Sequence, residues 1–220
     1  SYAYINKTNT AIIEMAAASG IALLKTNELN PLISSSKGTG ELLLHAINKG
    51  AKKIILGIGG SATCDCGIGA LSALGFKFTN DNSEDVEPFA ANLVRIKKII
   101  YPAQIKKLLS IKIQIACDVD NPMIGKNGAA GVYAPQKGAD RRQVLFLEQG
   151  LANFAELLKR TTGKDVARMK GAGAAGGIGA SLHALLNAEL RRGSEIIFKE
   201  LRIEEKIRNC LELDYPKDKI

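Results

Sequence analysis

Residues 57–67, with the sequence Gly-Ile-Gly-Gly-Ser-Ala-Thr-Cys-Asp-Cys-Gly, combine glycines with hydroxyl side chains. An apolar segment precedes them and a helical pattern follows, so the sequence predicts a strand, a glycine turn and a helix N-terminus. Such a turn lets backbone N–H groups approach an anion beside the positive end of a helix dipole. The candidate donors to a phosphate or carboxylate are Gly59, Gly60, Ser61 and Thr63. A plain tight turn is the alternative, and spacing alone does not decide between them.

Asp118 follows an alternating apolar segment that predicts a strand over residues 111–117. Ligands of open α/β sheets bind outside the carboxyl ends of strands, where a carboxylate can hold Mg²⁺ or act as a base. Asp120 and Asn121 come directly afterwards. The alternative is an Asx turn ahead of Pro122, which these residue types also favour.

Lys137 lies between Gln136 and Gly138, just before a helix that Asp140 can cap. A lysine in such a loop can reach a phosphate or carboxylate, although an exposed surface lysine is the commoner outcome.

Residues 171–179 form a second glycine-rich segment, which contains G-x-G-x-x-G. No βαβ unit with an acidic residue about 20 positions further on surrounds it, so a Rossmann dinucleotide site is not favoured. The segment is either a second anion-binding turn or a site of close helix packing. Its candidate residues are Gly171, Gly173, Gly176 and Gly177.

Together these segments suit phosphoryl transfer, in which catalysis consists mostly of positioning and charge neutralisation. The chain has no G-x-x-x-x-G-K-[ST] motif and no protein-kinase motifs, which excludes those two enzyme classes.

Predicted strands alternate with predicted helices, so the fold class is α/β with a mixed or mostly parallel sheet flanked by helices. The predicted strands cover residues 11–15, 52–57, 76–78 and 111–117. The predicted helices cover residues 39–48, 67–74, 104–109, 141–161, 180–190 and 203–210. Loops or turns are expected at residues 34–40, 80–88 and 125–138. Glu14 interrupts an apolar strand, so it either faces solvent or is a placed polar group.

Composition restricts the function classes. The net charge is +8, but the basic residues are scattered, there is no Trp, and only 5% of residues are aromatic. Nucleic-acid binding is therefore not favoured. Four cysteines are too few for a disulfide scaffold and are typical of the cytoplasm, and Cys64-x-Cys66 is not a zinc spacing. Neither a membrane span nor a signal peptide is expected.

Five stretches of the chain resemble the class I glycerate kinases, in the order that the family has them. They are residues 13–20, 36–41, 57–67, 116–122 with 135–139, and 171–179 with 188–190. The resemblance implies transfer of the ATP γ-phosphate to D-glycerate with Mg²⁺, giving 2-phosphoglycerate in most members and 3-phosphoglycerate in others. The chain departs from the family at Cys64 and Cys66, where Asn and Gly are usual, and at Lys170, where Pro is usual.

The resemblance also implies roles for the candidate residues. Asp118 would hold Mg²⁺ or orient a glycerate hydroxyl, and Lys137 would neutralise anionic charge. Further contacts to substrate or anion are expected from Ser36, Lys37, Thr39, Asn121 and Gln136, with the second glycine segment as the opposing wall.

Family members are longer and resemble a flavodoxin-like domain interrupted by a second α/β domain, with the site between the two. Residues 1–220 resemble the second domain with short flanks, as a single α/β domain, so the isolated chain is expected to be inactive. Two alternatives stay open: a non-catalytic domain that binds an acidic metabolite or nucleotide, and a basic module that binds nucleic acid. The sequence also leaves homo-oligomer formation open.

Overall fold

The computed structural model describes residues 1–213, and the side chains of residues 1–208. Its central sheet has five strands in the order β1-β2-β3-β6-β7, and β4 pairs with β5 in a separate two-stranded sheet. The strands are β1 (Ala3–Ile5), β2 (Thr10–Glu14), β3 (Lys53–Gly57), β4 (Lys77–Thr79), β5 (Lys98–Ile100), β6 (Lys112–Ala116) and β7 (Glu189–Arg191). Only β1 runs antiparallel to its neighbour in the central sheet. The predicted α/β class with a mostly parallel sheet is therefore confirmed.

The helices connect these strands and cover the sheet. They are α1 (Ala16–Ser19), α2 (Lys37–Asn48), α3 (Ile68–Ala73), α4 (Ile105–Leu109), α5 (Ala129–Tyr133), α6 (Arg141–Thr162), α7 (Ile178–Leu186), α8 (Gly193–Glu200) and α9 (Ile203–Leu213). Local chemistry sets several of the boundaries. Asp140 caps α6 by accepting a hydrogen bond from the Gln143 N–H, as predicted. The structure finds no helix among residues 1–213 that combines the length and apolar character needed to cross a membrane.

The core lies on one face of the central sheet. Side chains alternate along a strand, so the register brings Ala11, Ile54 and Ile113 into one row and Ile13, Leu56 and Ile115 into the next. All six are buried against the helices. On the opposite face α8 packs beside β6, and Glu200 at its end pairs with Lys53 of β3.

The parallel register aligns the carboxyl ends of four strands. Glu14, Gly57, Ala116 and Arg191 lie side by side at one edge of the sheet. The loops that leave β2, β3, β6 and β7 therefore emerge together, which is where ligands of open α/β sheets bind. Glu14 is exposed there, so its side chain faces solvent and not the core.

Two predicted segments need correction. Residues 125–138 contain α5, because the small residues after Gly128 pack into the core as one helical turn. The helix predicted over residues 180–190 ends at Leu186, since Asn187 takes a left-handed conformation with a φ of 57°. Its last predicted residues form β7, which pairs with β6, and α8 follows where the sequence indicated none.

Candidate functional site

A cleft of about 420 Å³ opens at the carboxyl edge of the sheet, between the turn after β3 and the loop after β6. It brings together six predicted site residues, namely Gly59, Gly60, Ser61, Asp118, Gln136 and Lys137. The rest of its lining is largely apolar and includes Ile21, Ile58, Val119, Tyr133, Ala174 and Ala175. The turn after β3 and the loop that carries Lys137 thus meet in one site, although Ser61 and Lys137 are 76 positions apart in sequence.

The turn after β3 lines this cleft and carries backbone N–H groups without backbone partners in the described residues. Gly60, with a φ of +68°, turns the chain, and its carbonyl accepts a hydrogen bond of 2.9 Å from the Ile21 N–H. The Ala62 N–H donates to Ser19 O at 2.9 Å, so both bonds join the turn to the backbone of residues 19–21. The N–H groups of Gly59, Gly60 and Ser61 pair with no backbone carbonyl within residues 1–213. A Cβ placed on Gly59 would meet no atom within 4 Å, so this part of the turn borders open space.

Lys137 lies beneath the turn and is only 2% exposed. Its Nζ donates to Ser61 Oγ at 2.8 Å and to Thr63 O at 2.6 Å. Burial lowers the pKa of this amine, while the nearby Cys64 and Asp65 oppose that shift. Since Ser61 Oγ accepts a hydrogen bond from Lys137, its own hydrogen is free to donate to a ligand. The alternative of an exposed surface lysine does not describe this residue.

Asp65 is the ionisable residue of this region that the sequence reasoning missed. It is completely buried, and its carboxylate accepts hydrogen bonds from Ser36 N, Ser36 Oγ, Gly67 N and Gly69 N at 2.7–3.3 Å. Burial raises the pKa of the Asp65 carboxyl, and these four donors oppose the shift. An acidic residue directly before a helix is the signal that could have identified it.

The contacts of Asp65 also correct the prediction about the helix dipole. The amides of Gly67 and Gly69, at the start of α3, point to the Asp65 carboxylate. They are therefore satisfied inside the protein, and the donors that border the cleft come from the turn itself.

The opposite side of the cleft carries acceptors. Asp118 is exposed, and its Oδ1 accepts a hydrogen bond of 2.9 Å from the Gly193 N–H at the start of α8. Asn121 Oδ1 accepts from the Tyr133 hydroxyl at 2.6 Å, and Asn121 Nδ2 donates to Asn127 O at 2.9 Å. These contacts fix the loop after β6 and leave Asp118 Oδ2 facing no donor among the described residues.

The second glycine segment is buried throughout and packs against backbone. A Cβ on Gly173 would lie 2.1 Å from Pro122 O, and one on Gly176 would lie 2.3 Å from Thr63 O. A Cβ on Gly171 would lie 3.0 Å from Cys117 Sγ, and one on Gly177 would lie 3.0 Å from Cys66 Sγ. This segment therefore packs closely against other parts of the chain. Of its residues, Ala174 and Ala175 line the cleft.

Three further candidates lie away from the cleft. Ser36 is buried, bonds Asp65, and accepts from Ala70 N at 2.9 Å. Thr39 is buried and donates to Ser19 Oγ at 2.9 Å, whereas Lys37 is exposed at the start of α2. A role for these residues in substrate binding stays a prediction.

The lining of the cleft offers one carboxylate, Asp118, to a metal ion. No cluster of three or more His, Cys, Asp or Glu side chains that could hold a metal ion occurs in the described part of the chain. Mg²⁺ in kinases is commonly held by one or two carboxylates together with phosphate oxygens and water. Asp118, whose Oδ2 accepts no hydrogen bond from the described residues, fits that arrangement.

Comparison with known proteins gives consistent results. The model of the glycerate kinase family matches residues 1–213. The chain is 47% identical to a glycerate kinase of Bacillus cereus, over 94% of this chain and 54% of that protein. It is 44% identical to glycerate 2-kinase of Escherichia coli, over 91% of this chain and 53% of that protein.

A crystal structure of a protein assigned as glycerate kinase 2, from Salmonella typhimurium LT2, superimposes with a TM-score of 0.89 at 41% identity. The match covers 93% of this chain and 55% of that one. The chain thus spans about half the length of the curated relatives it matches.

Proposed function

This chain belongs to the glycerate kinase family, and we propose that it forms the anion-binding half of the active site of an ATP- and Mg²⁺-dependent enzyme that phosphorylates D-glycerate. The E. coli relative is named glycerate 2-kinase, which supports 2-phosphoglycerate as the product. The free thiols of Cys64, Cys66 and Cys117 favour a reducing compartment, so we place this enzyme in the cytoplasm.

The observation that carries this proposal is the buried Lys137 ammonium beneath Ser61, with Asp118 on the other side of the same cleft. Phosphoryl transfer requires cationic and N–H groups that neutralise an anionic reactant. It also requires a group that positions the attacking hydroxyl or accepts its proton. Lys137 with the turn meets the first requirement, and Asp118 meets the second.

In this reaction a glycerate hydroxyl oxygen bonds to the γ-phosphorus as the bond from that phosphorus to the ADP oxygen breaks. The hydroxyl proton passes to Asp118 Oδ2 if that oxygen serves as base. Alternatively, Asp118 Oδ2 would help to hold Mg²⁺, which would supply charge neutralisation at the phosphate. The Gly193 N–H fixes the carboxylate for either role, because it binds the other oxygen.

Replacement of Asp118 tests this proposal in the intact enzyme that carries the chain. A coupled assay would follow ADP release from ATP, Mg²⁺ and D-glycerate. We expect Asp118→Asn to lower kcat by about 10²- to 10⁴-fold, while the neighbouring exposed Asp120→Asn keeps most of the activity. Full activity of Asp118→Asn would remove Asp118 from the catalytic set.

The isolated chain provides a second test. We expect a purified species of 23.5 kDa to release no ADP, because the chain spans only about half of its relatives. Glycerate-dependent turnover by that species would show that the catalytic set is complete within these 220 residues.

A further inference from the structure

We propose that the cleft holds the hydroxy acid rather than the nucleotide triphosphate, with the carboxylate on the Gly59–Ser61 turn and the hydroxyls towards Asp118. This inference rests on the proposed function and deepens it, because it assigns one of the two substrates to this half of the active site. The triphosphate would then bind to other parts of the enzyme.

The donor side of the cleft matches one carboxylate. It offers the N–H groups of Gly59, Gly60 and Ser61, together with the Ser61 hydroxyl hydrogen. The Lys137 ammonium adds its third N–H, because the other two bind Ser61 Oγ and Thr63 O. These groups are all donors, and they lie within one turn and its floor.

The charge of the cleft points to the same ligand. Lys137 is the only cationic side chain that lines it, and the only buried cationic side chain among residues 1–208. One ammonium matches the single negative charge of a hydroxy acid, whereas a triphosphate carries several charges and is usually held by additional cations. The apolar lining from Ile21, Ile58 and Val119 lowers the local dielectric constant, which strengthens the attraction between the Lys137 ammonium and one carboxylate.

The acceptor side completes the match. Without a bound cation, the Asp118 carboxylate repels a phosphate, but it accepts hydrogen bonds from hydroxyl groups. Glycerate carries one carboxylate and two hydroxyls on three carbon atoms, so it presents an anion to one wall and donors to the other. This orientation brings a hydroxyl to the residue that the proposed reaction requires.

Nuclear magnetic resonance on the ¹⁵N-labelled 220-residue chain tests the assignment. Sodium D-glycerate, glycerol and ATP would each be titrated, while the amide signals of Gly59, Gly60 and Ser61 are followed. We expect D-glycerate to shift these signals, and glycerol, which has hydroxyls but no carboxylate, to leave them unchanged. ATP, with or without Mg²⁺, should also leave them unchanged. Shifts with ATP but not with D-glycerate would overturn the proposal, as would no response to either.

Two variants test the geometry. Gly59→Leu adds a side chain where the structure leaves open space, so it should block the cleft and abolish D-glycerate binding while the fold stays intact. Lys137→Met removes the charge at similar length and should weaken binding about 10- to 100-fold. Lys126→Met, at an exposed position outside the cleft, is the matched control. Unaltered D-glycerate affinity in Gly59→Leu would overturn the proposal even if Lys137→Met fails to fold.

Steady-state kinetics of the intact enzyme separate this inference from the proposed function. Gly59→Leu should raise KM for D-glycerate at least 10-fold and leave KM for ATP unchanged. A rise in KM for ATP alone would overturn the substrate assignment and keep the proposed function. An enzyme that binds D-glycerate at these amides but transfers no phosphate to it would overturn the proposed function instead.

Discussion

The two glycine-rich segments of this chain lie in different environments. The segment after β3 lines the cleft over residues 58–61, of which Gly59 and Gly60 are exposed, and the rest of the segment is buried. Residues 171–179 are buried throughout and lie against the backbone of residues 121–122 and 63–66. In the described part of the chain, the first segment has unpaired backbone N–H groups beside an open cleft, whereas the second allows two parts of the chain to approach closely. Glycine content alone therefore does not identify an anion site. Whether the segment borders a cleft or packs against other backbone determines whether a ligand can reach its N–H groups.

Gly173→Ala should have the largest effect, since the new Cβ would lie 2.1 Å from Pro122 O, a backbone atom that cannot move away cheaply. We expect the free energy of unfolding in urea to fall by about 3 kcal/mol. The matched change in the other segment is Gly59→Ala, whose Cβ meets nothing within 4 Å. That variant should stay within about 0.5 kcal/mol of the parent. Equal losses in the free energy of unfolding from both changes would show that the two segments do not differ in how tightly they are packed.

Asp65→Asn should have the next largest effect. The amide cannot accept the four hydrogen bonds that the carboxylate accepts, so buried donors at Ser36, Gly67 or Gly69 lose their partner. We expect a loss of about 2–3 kcal/mol in the free energy of unfolding. Asp118→Asn, an exposed carboxylate with one backbone donor, is the control and should cost less than about 1 kcal/mol. If Asp65→Asn left the free energy of unfolding unchanged, the turn would not depend on this buried carboxylate.

The buried lysine beneath the first segment predicts a pH dependence. The pKa of folded Lys137 lies below the ordinary value of 10.5, so the unfolded chain binds more protons between these two pKa values. The free energy of unfolding should therefore rise with pH through that window, by about 1.4 kcal/mol for each unit by which folding lowers the pKa. Cys64, Cys66 and Tyr101, whose pKa values desolvation raises, contribute with the opposite sign. The quantity to compare is therefore the free energy of unfolding of the parent minus that of Lys137→Met at each pH. A difference that does not change with pH would mean that Lys137 titrates as an exposed lysine does.

Thr63→Val should have the smallest effect on stability. Thr63 is 1% exposed, and its Oγ1 has no hydrogen-bond partner in the described part of the chain. Removal of a buried hydroxyl without a partner should leave the free energy of unfolding unchanged or raise it by about 1 kcal/mol. If the same variant also binds D-glycerate as the parent does, Thr63 contributes no donor to the ligand. A clear loss of stability would point to a partner that the folded chain supplies for this hydroxyl.

Much of the fold could be predicted from local sequence. The alternating apolar residues of 111–117 predicted β6, and Asp140 followed by a long apolar period predicted α6 with its cap. The errors fell where local signals were weak. Asn187 ended α7 without a glycine or proline, and α8 began at a glycine that was expected to close a helix.

The sequence by itself determined the α/β class, the capped helices and the candidate residues at strand ends, because torsional preferences and apolar periodicity act over a few neighbouring residues. Only the tertiary structure decided what those residues do. Lys137 meets Ser61 across 76 positions, and Asp65 meets Ser36 across 29. Burial, pKa and open space are properties of such distant contacts, so one glycine segment borders an open cleft and the other packs against backbone.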